Sequence, residues 1–451
     1  MQTTETKAPG GMFGFTIVWL GQIVSVLASA MSQFGLTIWM FQKTESATAL
    51  GLMQVFFITP FLIISPIAGV MVDRHNRKMM MMVSDLGAGI ATTLILVFQW
   101  MGVLEFWHLY FAGVIYGLGM AFQWPAYSAA ITSMVSKEQY GRANGMMSLI
   151  EAGPQVVAPL LAGALLPVIG LTGILIIDVA TFLLAIGALL IVHIPQPART
   201  EEGARGQGSV LQEAAYGFKY IFARPSLLGL QMIFFFGNLF MGILFTLVAP
   251  MILSRTDNNS LMFGSVQTAG AVAGVAGGII MSAWGGFKRR VHGVLLGWMF
   301  SGVGGAIIGL MGGLPVWIVG IMITSIVSPL VNASNQAIWQ AKVAPDVQGR
   351  VFSARRLIAW LTNPIAPIIA GTLADYVFEP QMRATTALSQ IFGGLVGAGP
   401  GAGMGLIIFA AGTLTILAGA AGYFIPVIHN AETILPDHDQ LTKAEPEAAP
   451  A

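Results

Sequence analysis

The 451-residue chain is 55% hydrophobic and only 9% charged, against about a quarter charged in an average soluble protein, which excludes an ordinary soluble globular domain. The absence of cysteine excludes disulfide frameworks, thiol nucleophiles, cysteine zinc sites and iron–sulfur clusters together. A formal net charge of +1, from 21 basic and 20 acidic residues, leaves no electrostatic footprint for nucleic acid.

Glycine, at 55 residues or about 12% against a usual ~7%, points to close helix packing in lipid. Apolar runs of about 20 residues read as membrane-spanning helices, because the hydrocarbon core is ~30 Å thick and a helix rises ~1.5 Å per residue. Twelve such runs are predicted: Phe13 to Phe41, Ala47 to Val72, Met79 to Met101, Phe106 to Val135, Ala143 to Leu166, Leu171 to Ile194, Leu227 to Leu253, Leu261 to Ala283, Val291 to Gly312, Pro315 to Ala341, Val351 to Val377, and Met404 to Ile425.

Near the first run, Ala28-Ser29-Ala30 looks like a signal-peptidase site, but the apolar stretch continues to Trp39, so an uncleaved first helix is expected. With the N-terminus in the cytoplasm, every Lys and Arg except Lys43, Arg255 and Arg383 falls in or beside cytoplasmic segments. An even span count then places both termini there. Along the first span Gln22, Ser25, Ser29, Ser32 and Gln33 follow steps of three and four and share one face.

After the second span comes Gly69-Val-Met-Val-Asp73-Arg74-His75-Asn76-Arg77-Lys78. Asp73 suits a helix N-terminus or a basic partner, and Arg74, Arg77 and Lys78 suit phosphates or carboxylates, together a latch that can break. Positive-inside topology alone also accounts for these basic residues. Trp124 and Tyr127 in the fourth span suit a large, partly apolar ligand, as does Trp339 in the tenth, and aromatic core packing explains them equally well.

Three acidic residues stand clearly inside spans, where each costs roughly 2.5 to 3.5 kcal/mol when charged. Glu151 lies about eight residues into the fifth span with no Lys or Arg beside it, a location relieved by binding a proton. Asp178 in the sixth span is as isolated and also suits a hydrogen bond to a neighbouring helix. Asp85 lies some six residues from the cytoplasmic edge of the third. All three are proton-coupling candidates, in the order Glu151, Asp178, Asp85.

The longest cytoplasmic connection, Pro195 to Ser226, separates six spans from six. Its segment Val210 to Phe222 sets Leu211, Ala214, Ala215, Phe218, Ile221 and Phe222 at helical spacing, which predicts an amphipathic helix on the inner membrane surface or a linker helix without lipid contact. Gln231 and Asn238 stand seven apart in the seventh span, and Ser325, Ser328, Asn332 and Asn335 make a stripe on the tenth. Such polar stripes face a wet cavity or another helix, not lipid. Lys288-Arg289-Arg290 stands at the loop corresponding to the Asp73 loop, and Arg355 and Arg356 open the eleventh span. The connection Glu379 to Gly403 is long and rich in Gly and Pro, with an apolar stretch at Ile391 to Val396, and the acidic tail from Asn430 reads as partly disordered.

An internal repeat decides the plan. Gly141-Arg142 recurs as Gly349-Arg350, Pro159 as Pro367 and Gly163 as Gly371, always at one offset of 208 residues. A six-span offset preserves orientation, so the repeat is parallel, a transporter layout with substrate bound between the halves near midplane. The expected organisation is residues 1–194 as one six-helix bundle, 195–226 as a linker, 227–427 as a second bundle and 428–451 as a tail.

No Walker-type Gly-x-x-x-x-Gly-Lys-Ser/Thr, His-Glu-x-x-His or Gly-x-Ser-x-Gly occurs, and the six His are scattered. Neither an enzyme nor a metal site is expected, and the energy source is taken to be the proton gradient, with no cofactor. The loop Gly69 to Lys78 resembles the signature of the major facilitator superfamily, with Asn76, which tolerates left-handed backbone, at the second glycine. The segments Gly349-Arg-Val-Phe-Ser-Ala-Arg-Arg-Leu-Ile358, Gly371-Thr-Leu-Ala-Asp375, Phe378-Glu-Pro380 and Phe392-Gly-Gly-Leu-Val-Gly-Ala-Gly-Pro400 resemble the bacterial macrolide-efflux and enterobactin-exporter branch. The resemblance implies a proton-driven exporter of the bacterial cytoplasmic membrane, with the Asp73 loop gating the inner side. One departure is that Gly153-Pro154 is followed by Val157-Ala158, where antiporters of the superfamily often carry two glycines.

The expectation is therefore an all-α membrane protein of twelve transmembrane helices in two parallel six-helix repeats, a monomer exporting a medium-sized amphipathic compound, a drug, macrolide or siderophore-like molecule, in exchange for protons. Gln22, Ser25, Ser29, Gln33, Trp124, Tyr127, Gln231, Asn238, Ser328, Asn332, Asn335 and Trp339 are the candidate substrate contacts. Gly69, Asp73, Arg74, Arg77, Lys78, Arg142, Arg350, Arg355 and Arg356 are the candidate gate. The alternatives are proton-linked nutrient uptake and a non-transporting receptor or lipid-handling protein on the same fold. Substrate accumulation against a gradient separates transporter from receptor.

Overall fold

A computed structural model describes residues 11–135, 139–194, 210–343 and 347–437. Among the described residues the chain is helical and has no strand. The twelve predicted runs coincide with helix to within three residues at their ends, with Val351 to Val377 broken at Leu361, and among the described residues ten helices are long and apolar enough to cross a membrane.

The helices are α1 (Gly11–Thr44), α2 (Ala47–Arg74), α3 (Arg77–Trp100), α4 (Phe106–Met134), α5 (Tyr140–Ile191), α6 (Val210–Phe222), α7 (Pro225–Arg255), α8 (Ser260–Trp284), α9 (Arg290–Gly309), α10 (Leu314–Lys342), α11 (Gln348–Trp360) and α12 (Thr362–Leu373). A π-helical turn at Ala374–Phe378 leads to α13 (Glu379–Arg383), α14 (Ala387–Val396), α15 (Ala402–Phe424), α16 (Pro426–His429) and α17 (Ala431–Ile434). At 52 residues α5 holds more than twice the ~20 that one span needs, and it contains the predicted fifth and sixth spans. They part at Gly170, whose φ of 66° and ψ of 178° break the helical path where only glycine is comfortable.

The helices fall into two compact units. The first comprises residues 1–200 with Ile252–Thr268, and the second Glu201–Met251 with Ala269–Ala451. The turn between α7 and α8 thus belongs with the first unit, although the rest of both helices belongs to the second.

In the first unit α1 packs along α5, and α4 packs against α2 and α3. A Cβ on Gly119 would stand 2.8 Å from the Ser84 carbonyl and 3.2 Å from Gly87 Cα, so α3 and α4 cross backbone to backbone. Side chains cap the helix starts: Ser46 Oγ accepts from Ala49 N at 3.1 Å and Asn76 Oδ1 from Met79 N at 3.2 Å. The expectation of a left-handed Asn76 is corrected here. Its φ is −63° and ψ 118°, an N-cap conformation, so Asn serves as a hydrogen-bond acceptor and not as a glycine substitute.

The turn from α7 to α8 is bound into this unit by a backbone defect. Pro167 has no N–H, so the Gly163 carbonyl four residues earlier lacks its helical donor. Ser260 Oγ donates to that carbonyl at 2.9 Å in a buried position. Phe34 stacks on Phe263 with centroids 4.8 Å apart.

In the second unit α9 packs against α10 and α15. Part of the segment read as a tail is ordered. Arg289 donates to the His429 carbonyl at 3.0 Å, Glu432 accepts from Val291 N at 2.9 Å, and buried Lys342 pairs with Asp437 at 2.7 Å. Basic helix ends thereby meet acidic and carbonyl acceptors, which holds residues 426–437 against α9 and α10.

Candidate functional site

Two cavities, one in each unit, gather most of the polar residues of the spans. In the first unit, Asp85 on α3 and Asp178 on the second part of α5 line a common cavity with Ser25 and Ser29 of α1 and Tyr116 and Gln123 of α4. Both carboxylates are buried. Gln22 Nε2 donates to Asp85 Oδ2 at 2.5 Å, and Gln123 Nε2 reaches both Gln22 Oε1 at 3.2 Å and Asp85 Oδ1 at 3.5 Å. Asp178 instead accepts hydroxyls, from Ser29 at 2.8 Å and Thr92 at 3.2 Å.

The two shells differ in what they permit. A hydroxyl is both donor and acceptor and can turn, so Ser29 and Thr92 serve a charged or a protonated Asp178. The amide NH2 groups on Asp85 can only donate, and accepting from a protonated Asp85 would require Gln22 to flip and lose its bond from Gln123. Among the described residues no Lys or Arg lines the cavity. Its volume of about 40 Å3 holds a water or two or a small cation, whereas drug-sized ligands occupy ~300–1,000 Å3.

In the second unit, a cavity of about 560 Å3 lies among α7, α10, α11 and the start of α12. Gln231 and Asn238 of α7 and Asn332 and Asn335 of α10, all predicted as stripe residues, line it. Gln336, Arg355, Arg356, Trp360 and Asn363 line it with them. Arg355 Nη2 donates to Gln336 Oε1 at 2.6 Å, and the Arg355 carbonyl accepts from Gln231 Nε2 at 3.2 Å.

Other candidates lie elsewhere. Gln33 and Ser328 are exposed and line neither cavity, and Asn332 Nδ2 donates to the Ser328 carbonyl at 3.0 Å. Trp339 is fully buried and donates to Asn335 Oδ1 at 3.0 Å, which makes it a buttress for the cavity wall. Tyr127 is buried in an apolar cluster and meets Phe15 edge-on.

Lys78 donates to the Leu190 and Val192 carbonyls at 3.0 and 2.9 Å, a cation closing the end of α5. Arg77 is half-buried and Arg142 is exposed. The side chains of Glu151, Gly69, Asp73, Arg74, Trp124 and Arg350 lie outside the described residues.

Gln123, Thr92, Tyr116, Gln336, Trp360 and Asn363 were not predicted. Spacing held part of the signal: Thr92 is seven residues from Asp85 on α3, Gln336 is four from Asn332, and Asn363 is eight from Arg355. Among the described residues no group of His, Asp or Glu is placed to hold a metal ion.

A family model described as the Major Facilitator Superfamily matches residues 18–367. Macrolide efflux protein A of Streptococcus pyogenes is 27% identical over 371 residues, covering 80% of this chain and 90% of that protein. The multidrug efflux pump Tap of Mycolicibacterium fortuitum is 23% identical over 347 residues, covering 74% and 82%. Among solved structures, a bacterial homologue of the human lysosomal transporter Spinster, inward-facing and unoccupied, superposes with a TM-score of 0.67 at 16% identity, covering 90% of this chain and 95% of that one.

Proposed function

Because the chain belongs to the Major Facilitator Superfamily, we propose that it is a proton-coupled exporter of medium-sized amphipathic compounds, working by alternating access. The relatives named for macrolide and multidrug efflux support the direction. The bacterial relatives support a location in the bacterial cytoplasmic membrane, and the distribution of basic residues supports both termini inside.

The observation that carries proton coupling is the first unit's cavity: two buried carboxylates, hydrogen-bonded and, among the described residues, facing no Lys or Arg, in a space too small for the cargo. A carboxyl there sheds its cost by binding a proton and regains it by releasing one. Asp178 is the better carrier, because its hydroxyl shell accommodates both states without rearrangement of the main chain or an amide flip. Asp85, fixed by two amides, holds the electrostatic field around it. Glu151 is a third carrier, proposed from its isolation in the fifth span. The larger amide-lined cavity of the second unit takes the cargo.

The test is counterflow in proteoliposomes under an imposed pH gradient, with a panel of amphipathic drugs and siderophore-like compounds. Wild-type protein exchanges compound for protons. Asp178→Asn retains exchange of compound for compound but loses the response to the gradient at least tenfold. Gradient-driven export that persists in Asp178→Asn, Asp85→Asn and Glu151→Gln alike refutes carboxylate coupling. Gradient-driven accumulation in the opposite sense establishes uptake instead.

A further inference from the structure

We propose that the cavity of the second unit is an oxyanion-binding site, in which Arg355 receives the carboxylate, or an equivalent oxyanion, of an amphipathic ligand. The inference rests on the transport reading only for its physiological meaning.

Arg355 is held on three sides. Its Nη2 donates to Gln336 Oε1 at 2.6 Å, its carbonyl accepts from Gln231, and its guanidinium carbon stands 5.2 Å from the Phe352 ring and 5.4 Å from the Trp339 ring. These contacts orient the group and leave its charge unneutralised. Nη1 is buried and has no hydrogen-bond partner. Among the described residues no carboxylate lines the cavity, and neither Arg355 nor Arg356 forms an ion pair. Arg356 adds a second positive charge, its guanidinium carbon 5.6 Å over the Trp360 ring.

A guanidinium is always charged, and Arg355 is half-buried, where its charge is screened less than in open water and an opposite charge is favoured. A charged donor whose buried nitrogen is left without an acceptor is unfavourable. Among the described residues nothing meets that donor, and an acceptor that carries negative charge complements it best. One oxygen accepts from Nη1, and the cavity's amide groups and Arg356 supply donors for the second. About 560 Å3 leaves room for an apolar body beside the anion, against Phe234 and Trp360. An ammonium is disfavoured here by two like charges. An oxyanion arrives either on a soluble cargo or on a lipid headgroup, and the lining chemistry is the same for both.

The chain has no cysteine, so one introduced thiol reports the local field without background. In the full-length protein in phosphatidylcholine nanodiscs, Asn332→Cys is treated with sulfonatoethyl and trimethylammonioethyl methanethiosulfonate. The ratio of anionic to cationic reaction rates, referred to a free thiol in water, is expected to exceed ten. Adding Arg355→Gln returns it to near unity, and Arg355→Lys retains it in part. Equilibrium binding of tritiated deoxycholate, below its micellar concentration, gives the second measurement. Methyl deoxycholate competes at least tenfold more weakly than the acid, Arg355→Gln weakens binding at least tenfold, and Lys43→Gln, an exposed change in the other unit, leaves it unaltered.

Monodispersity and melting temperature are followed for every variant. A rate ratio near one in the Arg355 protein, or equal binding of acid and ester, overturns the proposal. So does the absence of saturable binding of deoxycholate, fusidate and naphthoate together. Phosphatidylglycerol in the nanodisc that suppresses both readouts assigns the site to a lipid headgroup, and no effect assigns it to a solute. Anion selection with no proton-coupled flux keeps this site and removes antiport. Coupled flux with no anion selection does the reverse.

Discussion

Removing the Ser260 hydroxyl tests how a proline inside a span is compensated. Pro167 leaves the Gly163 carbonyl without its helical donor, and Ser260 Oγ supplies one at 2.9 Å. Side-chain hydrogen bonds between membrane helices average ~0.6 kcal/mol and reach ~1.7. A buried acceptor left bare costs ~1–3 kcal/mol. The ranges overlap near ~1–2 kcal/mol, the loss expected for Ser260→Ala. Thr268 offers an internal contrast, since its Oγ1 donates at 3.0 Å to the Val156 carbonyl, which already faces the N–H of Leu160. Thr268→Ala is therefore expected to cost about 0.5 kcal/mol or less, the low end of the same series.

The decisive form is a double-mutant cycle. Pro167→Ala restores an N–H that reaches the Gly163 carbonyl, so in that background the Ser260 hydroxyl becomes redundant. The coupling energy is expected to be about 1 kcal/mol, well above the ~0.3–0.5 kcal/mol scatter of independent sites. The measurement is reversible unfolding of the full chain in mixed micelles with increasing dodecyl sulfate, followed by far-ultraviolet circular dichroism. An equal cost of Ser260→Ala in both backgrounds refutes the compensation.

Two further outcomes follow from single contacts. Glu379 accepts from Met404 N at 3.1 Å, Gly401 N at 3.3 Å and Arg383 Nε at 3.3 Å, so Glu379→Gln, which keeps one acceptor oxygen and loses the charge at the α15 N-terminus, destabilises by about 1–2 kcal/mol in the same unfolding titration. An unchanged midpoint would show that the charge contributes nothing there. Gly119→Ala sets a methyl 2.8 Å from the Ser84 carbonyl, forces α3 and α4 apart at about 1–3 kcal/mol, and moves the adjacent Asp85, so gradient-driven transport falls with stability. Stability lost with transport kept at wild-type rate would separate Asp85 from coupling.

What could be read from the residues alone was what the solvent dictates locally. Hydrocarbon thickness sets the length of a span, so the apolar runs marked where helix forms, and the cost of polar groups in lipid marked Asp85, Asp178 and the Asn332 and Asn335 stripe as unusual. The resemblance of the Gly69 to Lys78 loop named the superfamily that the family model matches. Partnership was not legible, because it depends on which helices meet. Gln22 bonds to a carboxylate 63 residues away, and Ser29 to one 149 residues away, so residues of a stripe read as a cargo surface form the shell of two acids once α1 packs along α5 and its Gln22 reaches α3. Arg355 and Arg356 read as gate residues because they open the eleventh span, close to where the Asp73 loop would dock as a latch. The packing of α7, α10 and α11 sets them in an amide-lined cavity, with one guanidinium nitrogen of Arg355 meeting no partner among the described residues. The turn from α7 to α8 likewise belongs by sequence to one half and by packing to the other unit, because a carbonyl orphaned by Pro167 found its donor at Ser260. Burial cost is a property of a single residue in its solvent, whereas a hydrogen-bond partner or an unmet charge is a property of the whole packed arrangement.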